Sequence, residues 1–268
     1  MPLVNGREDD KLSIHDRGLH YGDGLFETIA IRDGKLPVLW DRHMARLRLG
    51  CQRLGILPVD DELLREEATL CIQAVTDGVL KIIISRGVSG RGYRAPSAGD
   101  VTRILTTYPA STYPASYRDD GIVMRVCRTR LGCNETLAGI KHLNRLEQVL
   151  ARVEWTDPEI IEGVMLDSDE NVIEGTMTNL FFVDSGGLKT PDISQCGVAG
   201  VLREWIINIA TENAMRCEIG RYTLQELEQA DEIFVCNSVI GVWPVRQLGH
   251  RIYRKGPVTE RIARWLVF

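Results

Sequence analysis

The chain has 268 residues, enough for one large domain or two small ones that each bury a hydrophobic core. Its formal net charge is −5, from 32 Lys and Arg against 37 Asp and Glu, and it has no basic run. This charge pattern excludes an electrostatic surface for nucleic acid or anionic membranes and favours a small-molecule partner. Its seven cysteines lack the paired spacing of a zinc site or a redox dithiol, so they predict reduced thiols.

The N-terminus has no apolar signal region, and no stretch of about twenty apolar residues predicts a membrane span. The five histidines show no metal-ligand spacing, and no nucleophile-elbow pattern indicates a serine hydrolase. We therefore expect a cytoplasmic protein with no metal site.

The first half predicts a small α+β domain. Asn5-Gly6 is typical of a β-hairpin, and the β-branched and aromatic residues of 25–31 predict a strand. Apolar residues at helical spacing predict two helices, one before and one after Pro58. Two further strands are predicted at residues 80–85 and 101–108.

A stretch with two prolines and no helical period, residues 109–120, follows the last of these strands. Its end, residues 114–120, predicts a linker between a small N-terminal domain, 1–113, and a larger C-terminal domain, 121–268. The sequence contains no internal repeat. The elements together predict an α/β (α+β) fold with two compact domains.

The second half begins with a predicted strand at residues 121–130 and a helix with one apolar face. That face carries Leu146, Val149, Leu150 and Val153. Beyond the helix the pattern predicts strands at 164–166 and 173–183 on either side of a turn. A glycine-containing segment, residues 197–200, then introduces another helix.

Lys141 stands just before the first of these helices, where a lysine can attach an aldehyde cofactor covalently. Taken alone, a lysine after a glycine at a helix start is more often a solvated surface residue. Glu174 favours the cofactor-attachment interpretation of Lys141. An unpaired carboxylate in an apolar strand would be energetically costly, and a pyridinium would supply a charged partner for it. A surface turn acid is the alternative for Glu174. The pair indicates pyridoxal phosphate.

Phosphate-binding candidates lie later in the chain. Backbone N–H groups at a helix start bind phosphate well, and Val201 and Leu202 open the helix after the glycine segment. Asn237 and Ser238 follow a predicted strand at residues 233–236, and their small polar side chains suit the same role. On their own they would predict an ordinary turn.

The loop after residues 80–85 contains three glycines between positions 87 and 92 that nearly imitate a dinucleotide-binding fingerprint. No helix opens after them, so we reject that fold. Arg86 and Arg91 in the same loop suit a substrate that bears a carboxylate. Loop arginines without any ligand are at least as common.

Several longer motifs run nearly from end to end of the chain. They are Asp16–Thr28, His43–Leu47, Ile84–Gly87, Gly90–Tyr93, Gly139–Glu147, Asn171–Gly175 and Asn179–Phe182. In these motifs the chain resembles the branched-chain-aminotransferase-like, fold type IV class of pyridoxal-phosphate enzymes. The resemblance implies that Lys141 attaches the cofactor, Glu174 pairs with the pyridine nitrogen and Arg46 binds the phosphate. It also implies backbone phosphate donors at Val201 and Leu202.

Three further features bear on the resemblance. Ser238 falls where related aminotransferases use a threonine hydroxyl. Branched-chain aminotransferases usually have glycine at the position of Thr28. Thr28 and the loop at 86–93 are similar to the lyase subgroup of this family. That subgroup implies a homodimer that converts 4-amino-4-deoxychorismate to 4-aminobenzoate and pyruvate for folate synthesis, with Lys141 as general base.

The substrate contacts are predicted in the first half, because residues there could meet the two carboxylates of such a substrate. The candidates are Thr28, Arg86, Arg91 and Tyr108. A D-amino-acid or branched-chain aminotransferase would share the cofactor residues and require a 2-oxo acid acceptor. A non-catalytic cofactor-binding module of the same fold is the other alternative, and Lys141 and Glu174 argue against it.

Overall fold

The computed structural model of the chain describes residues 1–96 and 100–266. The chain divides into two compact units. The first unit comprises Met1–Thr112 and Ile140–Asn144, and the second comprises Tyr113–Gly139 and Arg145–Phe268. The short segment that contains Lys141 therefore packs with the first unit, although the sequence on both sides of it belongs to the second.

The first unit, over its described residues, contains five strands and three helices. They are β1 (Leu3–Val4), β2 (Arg7–Glu8), α1 (Arg17–Tyr21), β3 (Gly24–Ile31), α2 (Trp40–Leu54), α3 (Asp61–Ile72), β4 (Gly78–Ser85) and β5 (Thr102–Pro109). The strands form one antiparallel sheet in the order β2-β1-β5-β4-β3. Helices α2 and α3 pack on this sheet and share its hydrophobic core.

Strand alternation and helix periodicity build this core. Leu80 and Ile82 of β4 are fully buried and pack with Met44 of α2. Asn5 and Gly6 both have positive φ, 51° and 77°, as the central residues of a two-residue hairpin require. The hairpin, the strands and the two long helices predicted for this half are confirmed.

The described residues of the second unit contain nine strands and five helices. They are α4 (Ser116–Asp119), β6 (Ile122–Leu131), α5 (Leu146–Arg152), β7 (Ile160–Asp167), β8 (Val172–Gly175), β9 (Asn179–Asp184), β10 (Gly187–Pro191), α6 (Val201–Glu212), β11 (Cys217–Gly220), α7 (Leu224–Glu228), β12 (Glu232–Asn237), β13 (Gly241–Leu248), β14 (Arg251–Ile252) and α8 (Pro257–Trp265). The strands form a mixed sheet in the order β11-β10-β9-β12-β13-β6-β7-β8, and β14 pairs with β13. Among all helices of the described ranges, none is long and apolar enough to cross a membrane.

Two segments differ from the sequence-based prediction. Part of the predicted linker, 114–120, forms the short helix α4, and Tyr117 packs edge-on against Trp243 with ring centroids 5.2 Å apart. The predicted strand region at 173–183 is two strands, β8 and β9, because residues 176–178 leave the sheet and hydrogen-bond to the buried Glu162.

Helix α5 forms as predicted, but its apolar face is not buried within the chain. Leu146 is 74% exposed, Val149 54%, Leu150 55% and Val153 69%. The periodicity of the sequence shows which side chains share a face of a helix. It does not show what covers that face.

Candidate active site

Lys141 lies in a short extended segment that runs along β3. Its main-chain oxygen accepts a hydrogen bond from Phe26 N (3.0 Å), and Leu143 N donates to Gly24 O (3.0 Å). Ile140 is 3% exposed and belongs to the core of the first unit. The Lys141 Nζ lies 4.4 Å from the centroid of the Phe26 ring, within cation–π range. The backbone is therefore fixed on both sides of the lysine, and its amine lies against an aromatic surface.

Arg46, the predicted phosphate ligand, is held by the buried carboxylate of Glu27. Arg46 Nε donates to Glu27 Oε1 (2.8 Å) and Nη2 donates to Oε2, while His43 Nδ1 lies 2.6 Å from Oε2. Burial by itself raises the pKa of Glu27, but Arg46 and His43 outweigh burial and lower it from 4.5 to about 2. Glu27 therefore stays ionised and fixes the orientation of the Arg46 guanidinium.

We expect Glu27→Gln to lower the free energy of unfolding by about 3 kcal/mol at pH 7, because Arg46 would keep its charge beside a neutral amide. Urea unfolding measures this difference. The Glu27 carboxylate contributes its full stability above pH 4.5 and loses it as the pH falls towards 2, so the difference should shrink below pH 4.5. The matched control is Glu170→Gln, an exposed carboxylate paired with Arg130. Equal stability of Glu27→Gln and wild type at pH 7 would contradict this prediction.

Glu174, the predicted partner of the pyridine nitrogen, lies on β8 and is 4% exposed. Its Oε2 accepts hydrogen bonds from Val198 N (2.9 Å) and Asn179 Nδ2 (3.4 Å), and Asn179 Nδ2 also donates to Val198 O (2.9 Å). Asn179 packs so closely on Gly200 that a Cβ there would overlap the Asn179 Oδ1. Asn179, which the sequence placed only in a family motif, thus links Glu174 to the start of α6.

Arg145 is an electrostatic neighbour of Glu174 that sequence reasoning did not single out. Burial lowers the pKa of the Arg145 guanidinium, and the charges of Glu174 and Glu147 oppose that change. The charges of Arg145 and Glu174 therefore attract each other within the second unit.

The start of α6 fits a phosphate group. Gly200 is its N-cap and offers no side-chain hydrogen bond. Within residues 1–96 and 100–266, the N–H groups of Val201 and Leu202 have no backbone acceptor. Unpaired N–H groups and the positive end of the helix dipole both favour an anion at this position.

The side chain of Asn237 is already engaged within the protein. Its Oδ1 accepts hydrogen bonds from Val239 N (2.9 Å) and Ile240 N (3.0 Å), and its Nδ2 donates to Met177 O (3.2 Å). Asn237 therefore shapes the β12–β13 turn in which Ser238 lies and ties that turn to the loop after β8. Phosphate binding by Asn237 and Ser238 stays a prediction.

Glu162 on β7 is a buried acid that the sequence gave no reason to select. It is 0% exposed and accepts hydrogen bonds from Thr176 N (2.9 Å), Met177 N (3.2 Å) and Thr178 Oγ1 (2.9 Å). Among the described residues no Lys, Arg or His forms an ion pair with it, so neutral donors alone satisfy this carboxylate. Glu162 thereby fixes the loop that directly follows Glu174.

Two of the four substrate-contact candidates share one face of the first unit's sheet. Thr28 on β3 and Tyr108 on β5 lie on the face opposite the core. Tyr108 is 51% exposed. Their positions leave both side chains accessible to a ligand, and their roles stay predictions.

The two arginine candidates have different surroundings. Arg86 donates to both carboxylate oxygens of Asp23 (2.8 and 3.0 Å) and to the carbonyls of Leu54 and Gly55 (2.7 and 2.6 Å). Hydrogen bonds within the fold thus occupy most of its five N–H donors, two of them to carbonyls at the end of α2. Arg91 is exposed and, over the described ranges, forms no hydrogen bond or ion pair. Arg86 therefore has a structural function that needs no substrate, and substrate contact by either arginine stays a prediction.

The chain belongs to the Amino-transferase class IV family, which matches residues 24–248. The chain is 37% identical over 245 residues to an aminodeoxychorismate lyase of Vibrio harveyi, covering 90% of this chain and 89% of the relative. It is 32% identical over 268 residues to a putative branched-chain-amino-acid aminotransferase of Methanocaldococcus jannaschii, covering 96% and 91%.

A solved structure extends this likeness to three dimensions. The crystal structure of 4-amino-4-deoxychorismate lyase from Pseudomonas aeruginosa matches the chain with a TM-score of 0.95 and 45% identity, covering 99% of this chain and 98% of that one. The family and the fold class predicted from the sequence motifs are confirmed.

Proposed function

We propose that this protein is a pyridoxal-phosphate-dependent lyase that converts 4-amino-4-deoxychorismate into 4-aminobenzoate and pyruvate. The observation that carries the proposal is the end-to-end likeness to the Pseudomonas aeruginosa lyase, at 45% identity over 99% of the chain. Lys141, rigidly held along β3, supports it because this chemistry needs an amine in a fixed position.

The residues of the chain fit pyridoxal phosphate. The start of α6 offers unpaired N–H groups to the phosphate, Arg46 offers an oriented guanidinium, and Glu174 offers a buried carboxylate to the ring nitrogen. When bound, the cofactor supplies an electron-accepting ring for the bond that breaks.

Each residue has a defined task in this reaction. The amine of Lys141 removes the proton from C4 of the substrate. The C3–O bond then breaks, the six-membered ring becomes aromatic, and the departing enolpyruvate takes up a proton to become pyruvate. With the cofactor bound, Glu174 would hold a proton at the pyridine nitrogen, and Arg46 and the start of α6 would hold the phosphate, which would fix the geometry of proton removal.

The test is to incubate the purified, cofactor-loaded protein with 4-amino-4-deoxychorismate and to follow 4-aminobenzoate and pyruvate together, without any 2-oxo acid. Equal amounts of both products are expected. Absence of both products would reject the proposal.

An aminotransferase is the second candidate, favoured by the 32% identity to the Methanocaldococcus jannaschii relative. Such an enzyme would transfer the amino group of D-alanine or a branched-chain amino acid to 2-oxoglutarate. Dependence of turnover on that acceptor separates it from the lyase.

We also propose that the protein is a homodimer and that the exposed face of α5 contributes to the interface. Three apolar side chains of α5 and that of Val153, its C-cap residue, are exposed to water in the single chain. A cluster of exposed apolar side chains of this kind often marks an interaction surface. Fully burying each would contribute about 1.5–3 kcal/mol. A second copy, which presents the same uncharged face, would cover this surface in a two-fold symmetric contact.

Leu150→Glu is expected to shift the protein from twice the chain mass towards the 30.1 kDa of one chain, because it places a charge within the apolar face. Light scattering coupled to size exclusion measures this mass. Ile252→Glu is the matched control, since Ile252 is 78% exposed but lies on β14. A Leu150→Glu protein that keeps the wild-type dimer mass would contradict the assignment of this face.

We place the enzyme in the cytoplasm. All seven cysteines are free thiols, and unpaired thiols are typical of a reducing compartment.

A further inference from the structure

The loop of residues 176–178 lies between two residues of the candidate site. Glu174 precedes it on β8 with only Gly175 between them, and Asn179 follows it directly as the first residue of β9. Asn179 Nδ2 donates to Glu174 Oε2 (3.4 Å) and to Val198 O (2.9 Å), shortly before α6. The position of the 176–178 loop therefore determines where both side chains lie.

The same loop is tied to the turn between β12 and β13. Met177 O accepts a hydrogen bond from Asn237 Nδ2 (3.2 Å), and Asn237 Oδ1 accepts from two N–H groups of that turn (2.9 and 3.0 Å). Met177 N in turn donates to Glu162 Oε2 (3.2 Å). A continuous series of hydrogen bonds thus leads from Glu162 through the loop to the turn that contains Ser238, a predicted phosphate ligand.

The carboxylate of Glu162 accepts hydrogen bonds from five donors of the described residues, four of them in this loop. Its Oε1 accepts from Gly163 N (2.8 Å), Thr176 N (2.9 Å) and Thr176 Oγ1, and its Oε2 accepts from Met177 N (3.2 Å) and Thr178 Oγ1 (2.9 Å). Backbone N–H groups can only donate, and they face both oxygens. A glutamine at this position would therefore set its NH₂ group against at least one N–H donor in either orientation.

We propose that Glu162 is a positioning residue for pyridoxal phosphate that acts through the 176–178 loop; this inference rests on the proposed function. The loop sets the place of Glu174, the predicted partner of the ring nitrogen, and of the turn that carries Ser238. Because Glu162 is 0% exposed, a ligand cannot touch it, and the loop must transmit its effect. Without this carboxylate the loop would have to be ordered when the cofactor binds, and that cost lowers the affinity.

Glu232 provides a control of the same chemistry in the same unit. It is 6% exposed, and its carboxylate accepts from Val258 N (3.1 Å), Thr259 N (2.8 Å) and Thr259 Oγ1 (2.7 Å). Like Glu162, it is a buried acid that holds two successive N–H groups and a threonine hydroxyl. It differs in the segment that it fixes, which is the start of α8. Glu162→Gln and Glu232→Gln should therefore lower the urea midpoint of the cofactor-free protein alike.

The test is the affinity of each cofactor-free variant for pyridoxal phosphate, measured by equilibrium dialysis. We expect Glu162→Gln to raise the Kd by about 10- to 100-fold and Glu232→Gln to leave it within about 3-fold of wild type. The absorption maximum of the bound cofactor reports the protonation of its ring. It should shift in Glu162→Gln, because Glu174 is displaced, and stay at the wild-type position in Glu232→Gln.

A milder pair of variants gives the same comparison if a glutamine variant fails to fold. Thr178→Val and Thr259→Val each keep the shape of the side chain and remove one hydroxyl donor from the buried acid. Thr178→Val should raise the Kd by about 3- to 10-fold, and Thr259→Val should leave it unchanged.

Three results would count against the inference. Wild-type affinity and an unshifted band in Glu162→Gln would overturn the role of Glu162 and leave the cofactor and the lyase function standing. Equal weakening by Glu162→Gln and Glu232→Gln would reduce Glu162 to a structural acid. A wild type that binds no pyridoxal phosphate would overturn the proposed function as well.

Discussion

Lys141→Ala is expected to lower the rate of 4-aminobenzoate formation by about 10⁴-fold, because the variant loses the only amine that the proposed reaction uses as a base. The surrounding backbone should stay in place, since the main chain of Lys141 and its neighbours pairs with β3 through N–H and C=O groups. The measurement is product formation by the cofactor-loaded variant under saturating substrate.

Lys189→Ala is the matched control for this variant. Lys189 forms an ion pair with Asp184, 2.7 Å from Nζ to Oδ2, on the second unit. Removing that ion pair should change stability by less than about 1 kcal/mol and leave turnover unchanged. Turnover of Lys141→Ala within about 10-fold of wild type would reject Lys141 as the base.

Glu174→Gln is expected to lower turnover by about 10²- to 10³-fold while the protein stays folded. The amide keeps the size of the side chain and can still accept a hydrogen bond from Val198 N, but it lacks the charge that holds a proton on a pyridine nitrogen. Weaker binding of pyridoxal phosphate, measured by equilibrium dialysis, is expected alongside the slower turnover.

Glu159→Gln controls for the loss of one carboxylate in the second unit. Glu159 is exposed, and its Oε2 lies 3.5 Å from Arg246 Nη2. The Glu159→Gln variant should leave both turnover and cofactor affinity unchanged. If Glu174→Gln also left both unchanged, Glu174 would be no more than a structural acid that accepts from Val198 and Asn179.

The local elements of this fold follow from the sequence alone. The Asn5-Gly6 hairpin, strand β4 and helices α2 and α3 were predicted because turn chemistry and apolar period act over a few residues. The family motifs and Lys141 were recognisable for the same reason, since each motif is a short continuous stretch.

Contacts between distant parts of the chain hold the site residues in position. Glu27 meets Arg46 across 19 positions, and Arg86 meets Asp23 across 63. No local pattern predicts such pairs, because an isolated acid in a strand has the same sequence appearance whether it meets a cation, neutral donors or solvent. Glu162 illustrates the second case, with 14 to 16 positions between it and the loop that it fixes.

The sequence by itself determined the family, the main helices and strands of the first unit and the lysine on which the proposed chemistry depends, because these are encoded in short-range patterns. The tertiary structure decided three things that those patterns leave open. It left the apolar face of α5 exposed, it used most of the donors of Arg86 within the fold, and it tied the 176–178 loop to Glu162. Burial and ion pairing depend on which distant elements pack together, and strand register sets which side chains meet.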